Sequence, residues 1–198
     1  MGRLEKTNLE QYLRETYGEG EIQEIEKLTL PIRGLNQGDY GKRLDCTIVS
    51  ITMVIRYYCN YSIETQEIYD FVEKTAKKLF YNGETCGTPF IVIKAILDTS
   101  LKHFGLEKSR KQYLIKERCV GYTFDIIKRQ LNLMRPIILS MKNDGRNYYI
   151  NHTVTVMGYI MVRVGNRTVP ILQVLDNWTK LISYIDYNKL SAISSINF

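Results

Sequence analysis

Two side chains in this sequence have the types and surroundings expected of a nucleophile and its general base. Cys46 follows Asp45 and begins an apolar run that ends with tyrosines at positions 57 and 58. The thiolate is the reactive form of cysteine, and a helix N-terminus favours an anion because its N–H groups lack partners. If residues 46–58 form a helix with Asp45 as its N-cap, the sulfur of Cys46 lies in the first turn. The alternative is that Cys46 is a small apolar residue within a buried helix.

The choice of base is narrow because the chain contains two histidines, His103 and His152. His103 is predicted near the end of a helix, just before Gly105, where the helix dipole stabilises an imidazolium and a structural role suffices. His152 follows a polar loop and begins a run that alternates Thr and Val before it becomes apolar. This pattern predicts a strand whose first residue could face a cleft and act as the base. A histidine held in the sheet for structural reasons is the alternative.

A third group must accept a hydrogen bond from the other ring nitrogen of the histidine. Asp176 ends the apolar run 171–175, which should pair with the strand of His152 through a turn at residues 165–166. The carboxylate of Asp176 or the amide of Asn177 could therefore lie beside the imidazole, and an ordinary turn after a strand is the alternative. The indole of Trp178 would shield this hydrogen bond from water.

The developing oxyanion of an acyl-transfer reaction needs two hydrogen-bond donors. The backbone N–H of Cys46 could be one, and the side-chain amide of Gln37, in the glycine-rich loop 34–41, could be the other. The predicted catalytic residues are therefore Cys46, His152, Asp176 and Gln37. Such chemistry requires no metal ion and no organic cofactor.

The other three cysteines match no zinc-binding spacing and are expected to be buried or half-buried thiols, with one incidental bridge as an option. They are Cys59, Cys86 and Cys119. The net charge of +6 raises the question of nucleic acid, but the basic residues form no long run and no DNA-binding motif accompanies them. Nucleic-acid binding is therefore not expected.

No segment has the roughly 18 apolar residues of a membrane span, and residues 1–11 lack a signal-peptide core. The sequence as written predicts a soluble cytoplasmic protein, or a secreted one if a signal segment has been removed.

The order of the predicted elements indicates an α+β fold, with helices first and an antiparallel meander after them. Helices are predicted at residues 4–17, 46–58, 64–81, 88–105 and 123–134, the last two capped by Thr88 and Thr123. Strands are predicted at residues 137–141, 153–164, 169–175 and 182–185. Pro31 keeps the short apolar run 28–32 from being a central strand.

The sequence resembles the papain-like cysteine peptidases, and among them the bacterial bacteriocin-leader (double-glycine) peptidases and their stand-alone relatives. The likeness covers most of residues 35–190 and departs at Thr47, where these peptidases usually have a small residue. It is carried by Gln37, Asp45-Cys46 with the helix ending in Tyr57-Tyr58, His152 leading to Gly158-Tyr159, Asp176 with Trp178, and the segment 184–190.

The resemblance implies a papain-like fold, in which a helical half with a buried nucleophile helix packs on a C-terminal antiparallel sheet. Residues 1–30 would be an acidic helical extension, a candidate blocking segment, and residues 31–198 the peptidase domain. The implied activity is hydrolysis of a peptide or protein substrate through a Cys-His-Asp triad and a thioacyl-enzyme. Two alternatives stay open: an acyl transferase, transglutaminase or deamidase on the same fold, and a non-catalytic peptide-binding module.

Overall fold

The computed structural model describes residues 6–40, 44–83, 87–106, 112–114, 120–141, 151–190 and 193–197. These residues form five α-helices and seven strands, in agreement with the predicted mixture of helix and antiparallel sheet. The helices are α1 (Lys6–Tyr17), α2 (Cys46–Tyr58), α3 (Thr65–Lys77), α4 (Ile93–His103) and α5 (Val120–Asn132). The strands are β1 (Ile22–Thr29), β2 (Gln112–Leu114), β3 (Ile137–Met141), β4 (His152–Val164), β5 (Arg167–Leu175), β6 (Ile182–Asp186) and β7 (Ile193–Asn197).

The strands form one antiparallel sheet in the order β2-β7-β3-β4-β5-β6, and β1 also pairs with β4. The long strand β4 organises this sheet. Along one edge β4 pairs first with β3 and then with β1, whereas β5 lies along the other edge. His152 is therefore at one end of the central strand. The predicted meander, β3 to β6, is confirmed.

The helix α2 lies in the interior of the molecule. Its bounds, Cys46–Tyr58, are those predicted, and every residue from 47 to 55 is buried. A helix that is apolar on all sides must be covered on all sides, and α2 packs against α3 and β4. Because Cys46 is the first residue of this buried helix, it lies where α2 packs against the sheet.

Residues 1–30 were predicted to be an acidic helical extension with its helix at residues 4–17. The helix is present as α1, but β1 occupies residues 22–29 and belongs to the sheet. The burial of β1 is partial and its residues are often charged, so it lacks the apolar run that marks a buried strand. Leu13 of α1 packs against the far half of β4, including Ile160. The eight steps along the strand from His152 to Ile160 span roughly 26 Å. This placement gives no support to α1 as a blocking segment, and the domain boundary at residue 30 stays a prediction.

Three helix boundaries differ from the prediction. Pro89 has extended backbone (ψ 134) and precedes a short 3-10 helix, so α4 begins at Ile93 and Thr88 is not its cap. Thr123 lies inside α5 rather than capping it, since α5 begins at Val120 despite the low helix propensity of Gly121. The helix α3 ends at Lys77, and Phe80 with φ 70 stops any continuation.

None of the described helices is long and apolar enough to cross a membrane. Both cysteines in the described part of the chain, Cys46 and Cys59, are free thiols. Cys86 and Cys119 lie outside the described residues.

Candidate active site

Cys46 is the first residue of α2 and is half-buried, and its side chain forms a hydrogen bond with His152. Burial raises the pKa of the thiol. The hydrogen bond and the positive charge of His152 act in the opposite direction, with smaller contributions from hydrogen bonds to Thr153, and the net pKa is lowered. The site therefore favours the thiolate.

His152 is the first residue of β4 and is buried. Burial lowers the pKa of its imidazole, but the hydrogen bond and charge of Cys46 and the proximity of Asp176 raise it, and the net pKa is raised. The Nε2 atom lies 2.7 Å from the main-chain oxygen of Asp176, to which it donates. The remaining nitrogen, Nδ1, is then the one available to Cys46. The two groups together favour a thiolate–imidazolium pair.

The register of the sheet explains how residues so distant in sequence meet. Thr155 of β4 pairs with Leu175 of β5, so the residue that follows Leu175 arrives beside the start of β4. On the helix side, the hydroxyl of Thr47 donates to the hydroxyl of Thr153 at 2.9 Å. This polar contact joins the residue after Cys46 to the residue after His152.

Asp176 contacts His152 with its main-chain oxygen, while its carboxylate binds other groups. Its Oδ1 accepts from the N–H groups of Trp178 (3.1 Å) and Thr179 (3.3 Å), and its Oδ2 accepts from the hydroxyl of Ser183 (2.9 Å). An aspartate that binds N–H groups two and three residues later stabilises its own turn. The group that accepts from His152 Nε2 is thus the main-chain carbonyl, whereas the sequence had indicated a side-chain acceptor.

Trp178 covers one face of the imidazole, as expected from the sequence. The two rings stack with centroids 4.6 Å apart and an interplanar angle of 30°. The indole is 37% exposed, so it lies between His152 and solvent. It limits the access of water to the hydrogen bond between His152 and Asp176.

Gln37 begins a 3-10 helix, Gln37–Tyr40, in the loop that precedes α2. Its N–H donates to the main-chain oxygen of Asn177 at 2.7 Å, which attaches this loop to the turn that carries Asp176. The four predicted site residues therefore lie on four connected segments. The role of the Gln37 amide towards an oxyanion stays a prediction.

Asp45 occupies the N-cap position of α2, as predicted, but its side chain does not cap the helix. Its ψ of 5 is unlike the extended backbone of an N-cap, and its side chain makes no cap hydrogen bond. The carboxylate is fully buried and accepts hydrogen bonds from the hydroxyls of Tyr69 and Tyr81. Burial, and then Asp45, raise the pKa of both phenols. Helical spacing gave no signal of this arrangement, because the tyrosines lie on α3 and in the loop after it.

Asn177 is the second residue whose role the sequence did not reveal. The structure directs its side-chain amide towards main-chain oxygens of Cys46 and Thr153 rather than towards the imidazole. Among the residues that the structure describes, no group of three or more His, Cys, Asp and Glu side chains could hold a metal ion.

Comparison with known proteins adds no further assignment to this geometry. No family model matches the sequence, and no curated protein matches it either.

Proposed function

We propose that this protein is a papain-like cysteine peptidase that hydrolyses a peptide or protein substrate. The observation that carries the proposal is the hydrogen-bonded pair of Cys46 and His152 at the start of α2, in which each group shifts the pKa of the other towards its charged form. Pairing of this kind makes a thiol nucleophilic near neutral pH.

The reaction begins when the thiolate of Cys46 attacks the carbonyl carbon of the scissile bond. The imidazolium of His152 gives its Nδ1 proton to the leaving amine, and a thioester on Cys46 results. Neutral His152 then takes a proton from water, which attacks the thioester and releases the carboxylate product. The proton taken from water restores the imidazolium beside the regenerated thiolate.

The remaining residues of the site have supporting roles in this proposal. The main-chain carbonyl of Asp176 holds the Nε2 proton and so fixes the orientation of the ring. The N–H of Cys46 and the amide of Gln37 stabilise the oxyanion. Further support for the papain-like assignment comes from a buried nucleophile helix that precedes an antiparallel sheet, and from the indole of Trp178 over the imidazole.

Cys59 provides a control within the same chain. It is also a half-buried free thiol, but burial raises its pKa and nothing opposes that shift. At pH 6.5 an ordinary thiol is only about 1% ionised. We therefore expect iodoacetamide at pH 6.5 to label Cys46 at least about tenfold faster than Cys59, as measured by peptide mass spectrometry. Equal rates at the two residues would contradict the proposal.

Turnover separates hydrolysis from the other activities that share this chemistry. A peptide library incubated in H₂¹⁸O should yield fragments with ¹⁸O at the new carboxyl group, and the Cys46→Ala variant should yield none. Exclusive transfer to an added amine would identify an acyl transferase. Reactive Cys46 with peptide binding and no turnover would identify a binding module, and either result would refute the peptidase assignment.

A further inference from the structure

The side chain of Asn177 connects the strand of the imidazole to the helix of the thiol. Its Nδ2 lies 2.9 Å from the main-chain oxygen of Cys46, 2.8 Å from that of Thr153 and 3.0 Å from the hydroxyl of Ser50. The residue is fully buried. Because two carbonyl oxygens surround this atom, it must be the nitrogen of the amide and not the oxygen.

The two carbonyl groups belong to the residues that determine the geometry of the pair. One is that of Cys46 itself, and the other is that of Thr153, which directly follows His152. Without the amide, the two carbonyl oxygens would lose the donor they share, and the Thr153 oxygen would keep only a long side-chain bond of 3.5 Å from the Ser50 hydroxyl, which is unfavourable in a buried space. The amide therefore holds the first turn of α2 against the first residues of β4.

The backbone of Asn177 contributes as well. Its φ of 67 lies in the left-handed region, which asparagine tolerates better than most residues other than glycine. This conformation follows Asp176, whose carbonyl accepts from His152, and precedes Trp178, whose ring covers the imidazole. The main-chain oxygen of Asn177 also receives the N–H of Gln37.

We propose that Asn177 is a positioning residue, whose side-chain amide fixes the separation between the Cys46 thiol and the His152 imidazole. The significance of this separation for catalysis rests on the proposed function, but the separation itself can be tested without a substrate. The reactivity of Cys46 with iodoacetamide at different pH values reports it, because contact with His152 favours the thiolate.

Two substitutions separate the amide from the backbone that carries it. Asn177→Gly keeps the left-handed conformation and removes the amide, whereas Asn177→Asp keeps the size and replaces the donor by an acceptor. In both variants the imidazole should lose its close contact with the thiol. We expect alkylation of Cys46 at pH 6.5 to slow at least about tenfold, and its pH midpoint to rise towards the ordinary value of about 8.5.

Asn60 offers a matched control. It also has a left-handed backbone, with φ 49, but it is exposed and lies beyond the C-terminus of α2. Asn60→Gly should leave the pH midpoint of Cys46 at the wild-type value. The titratable groups around the thiol are His152, Asp176, Asp45, Tyr69 and Tyr81, and they are unchanged in Asn177→Gly and Asn60→Gly. Asn177→Asp adds a carboxyl group whose negative charge would itself raise the pKa of the thiol, so the comparison of Asn177→Gly with Asn60→Gly decides the test.

The pH midpoint distinguishes positioning from a merely structural role. A merely structural contribution would lower the thermal unfolding temperature of the Asn177 variants and leave the midpoint of Cys46 at the wild-type value. That result would overturn the inference. Failure of the proposed function would show instead in the wild-type protein, as reactive Cys46 without peptide hydrolysis, and would leave the comparison of midpoints intact.

The wild-type protein provides a second measurement that depends on no variant. In a ¹⁵N-labelled sample the side-chain NH₂ protons of Asn177 should exchange with solvent at least about tenfold more slowly than those of exposed Asn60, because buried oxygens hold them. Equal exchange rates would overturn the inference even if both variants failed to fold.

Discussion

The Nε2 atom of His152 donates to the main-chain carbonyl of Asp176 at 2.7 Å, while the Asp176 carboxylate accepts from the N–H groups of Trp178 and Thr179. The group that orients the imidazole is therefore part of the backbone, and no substitution can remove it. The carboxylate shapes the turn that presents the carbonyl, and its negative charge also contributes to the raised pKa of the imidazole.

Asp176→Asn should therefore be a mild substitution. The amide oxygen can still accept from both N–H groups, and its nitrogen can donate to the hydroxyl of Ser183, so the turn persists. We expect kcat/KM for peptide hydrolysis within about tenfold of the wild type, since a charged side chain is not the ring's acceptor. Asp176→Ala should lose the turn and lower the free energy of unfolding by about 1–3 kcal/mol. A loss of about 10⁴-fold in Asp176→Asn would instead indicate a carboxylate bound directly to the imidazole.

His152→Ala should change the pH at which Cys46 becomes reactive. In the wild type, reactivity is lost as the pH falls through the lowered pKa of the thiol, because the thiolate is then protonated. Without His152 the opposing effect of burial dominates and raises the pKa, so the same loss begins at a higher pH. Alkylation rates between pH 5 and 10 provide the measurement.

The control for this prediction is the other histidine. His103 is the last residue of α4 and stacks on Phe71 with ring centroids 3.7 Å apart. His103→Ala should leave the pH midpoint of Cys46 unchanged. A shift as large as that of His152→Ala would mean that the change reflects general loosening of the fold and not the loss of a partner.

Tyr69→Phe and Tyr81→Phe should each destabilise the protein. Each hydroxyl donates to the fully buried carboxylate of Asp45, and removal of one donor leaves a buried charge with fewer hydrogen bonds. We expect each substitution to lower the free energy of unfolding by about 1–3 kcal/mol in urea titrations. Tyr57→Phe is the control, since that hydroxyl makes one long contact of 3.4 Å with Met134 at the surface. Equal free energies of unfolding in all three variants would contradict a stabilising role of the two buried hydrogen bonds to Asp45.

Trp178→Ala should weaken the thiolate–imidazolium pair by exposing the bond between His152 and Asp176 to water. Stacking of aromatic rings is worth about 0.5–1.5 kcal/mol, so alkylation of Cys46 at pH 6.5 should slow by about threefold to tenfold. Trp178→Phe keeps an aromatic ring over the imidazole, so its alkylation rate at pH 6.5 should fall less than that of Trp178→Ala. Leu181→Ala, at a residue in the same loop that is 67% exposed, should have no effect. Similar losses in the Phe and Ala variants of Trp178 would argue against shielding by the ring.

Local patterns in the sequence determined much of this architecture. The continuous apolar run after Cys46 predicts a buried helix, and its bounds as well as those of β3 agree with the structure. A continuous apolar run predicts these elements well because an element that is buried on all sides needs apolar residues at nearly every position. The presence of only two histidines, with one at a helix end, likewise directed attention to His152. The strand β1 was not predicted, because its half-exposed, charged sequence resembles that of a loop.

The directions of the polar side chains were decided by the tertiary structure alone. The carboxylate of Asp45 turns to two tyrosines, and the amide of Asn177 reaches the carbonyl of Cys46 across 131 positions of the chain. Such partners are brought together by sheet register and helix packing, which no local pattern encodes. A short polar side chain beside a turn has several possible partners of similar energy, and only the packed neighbours select among them.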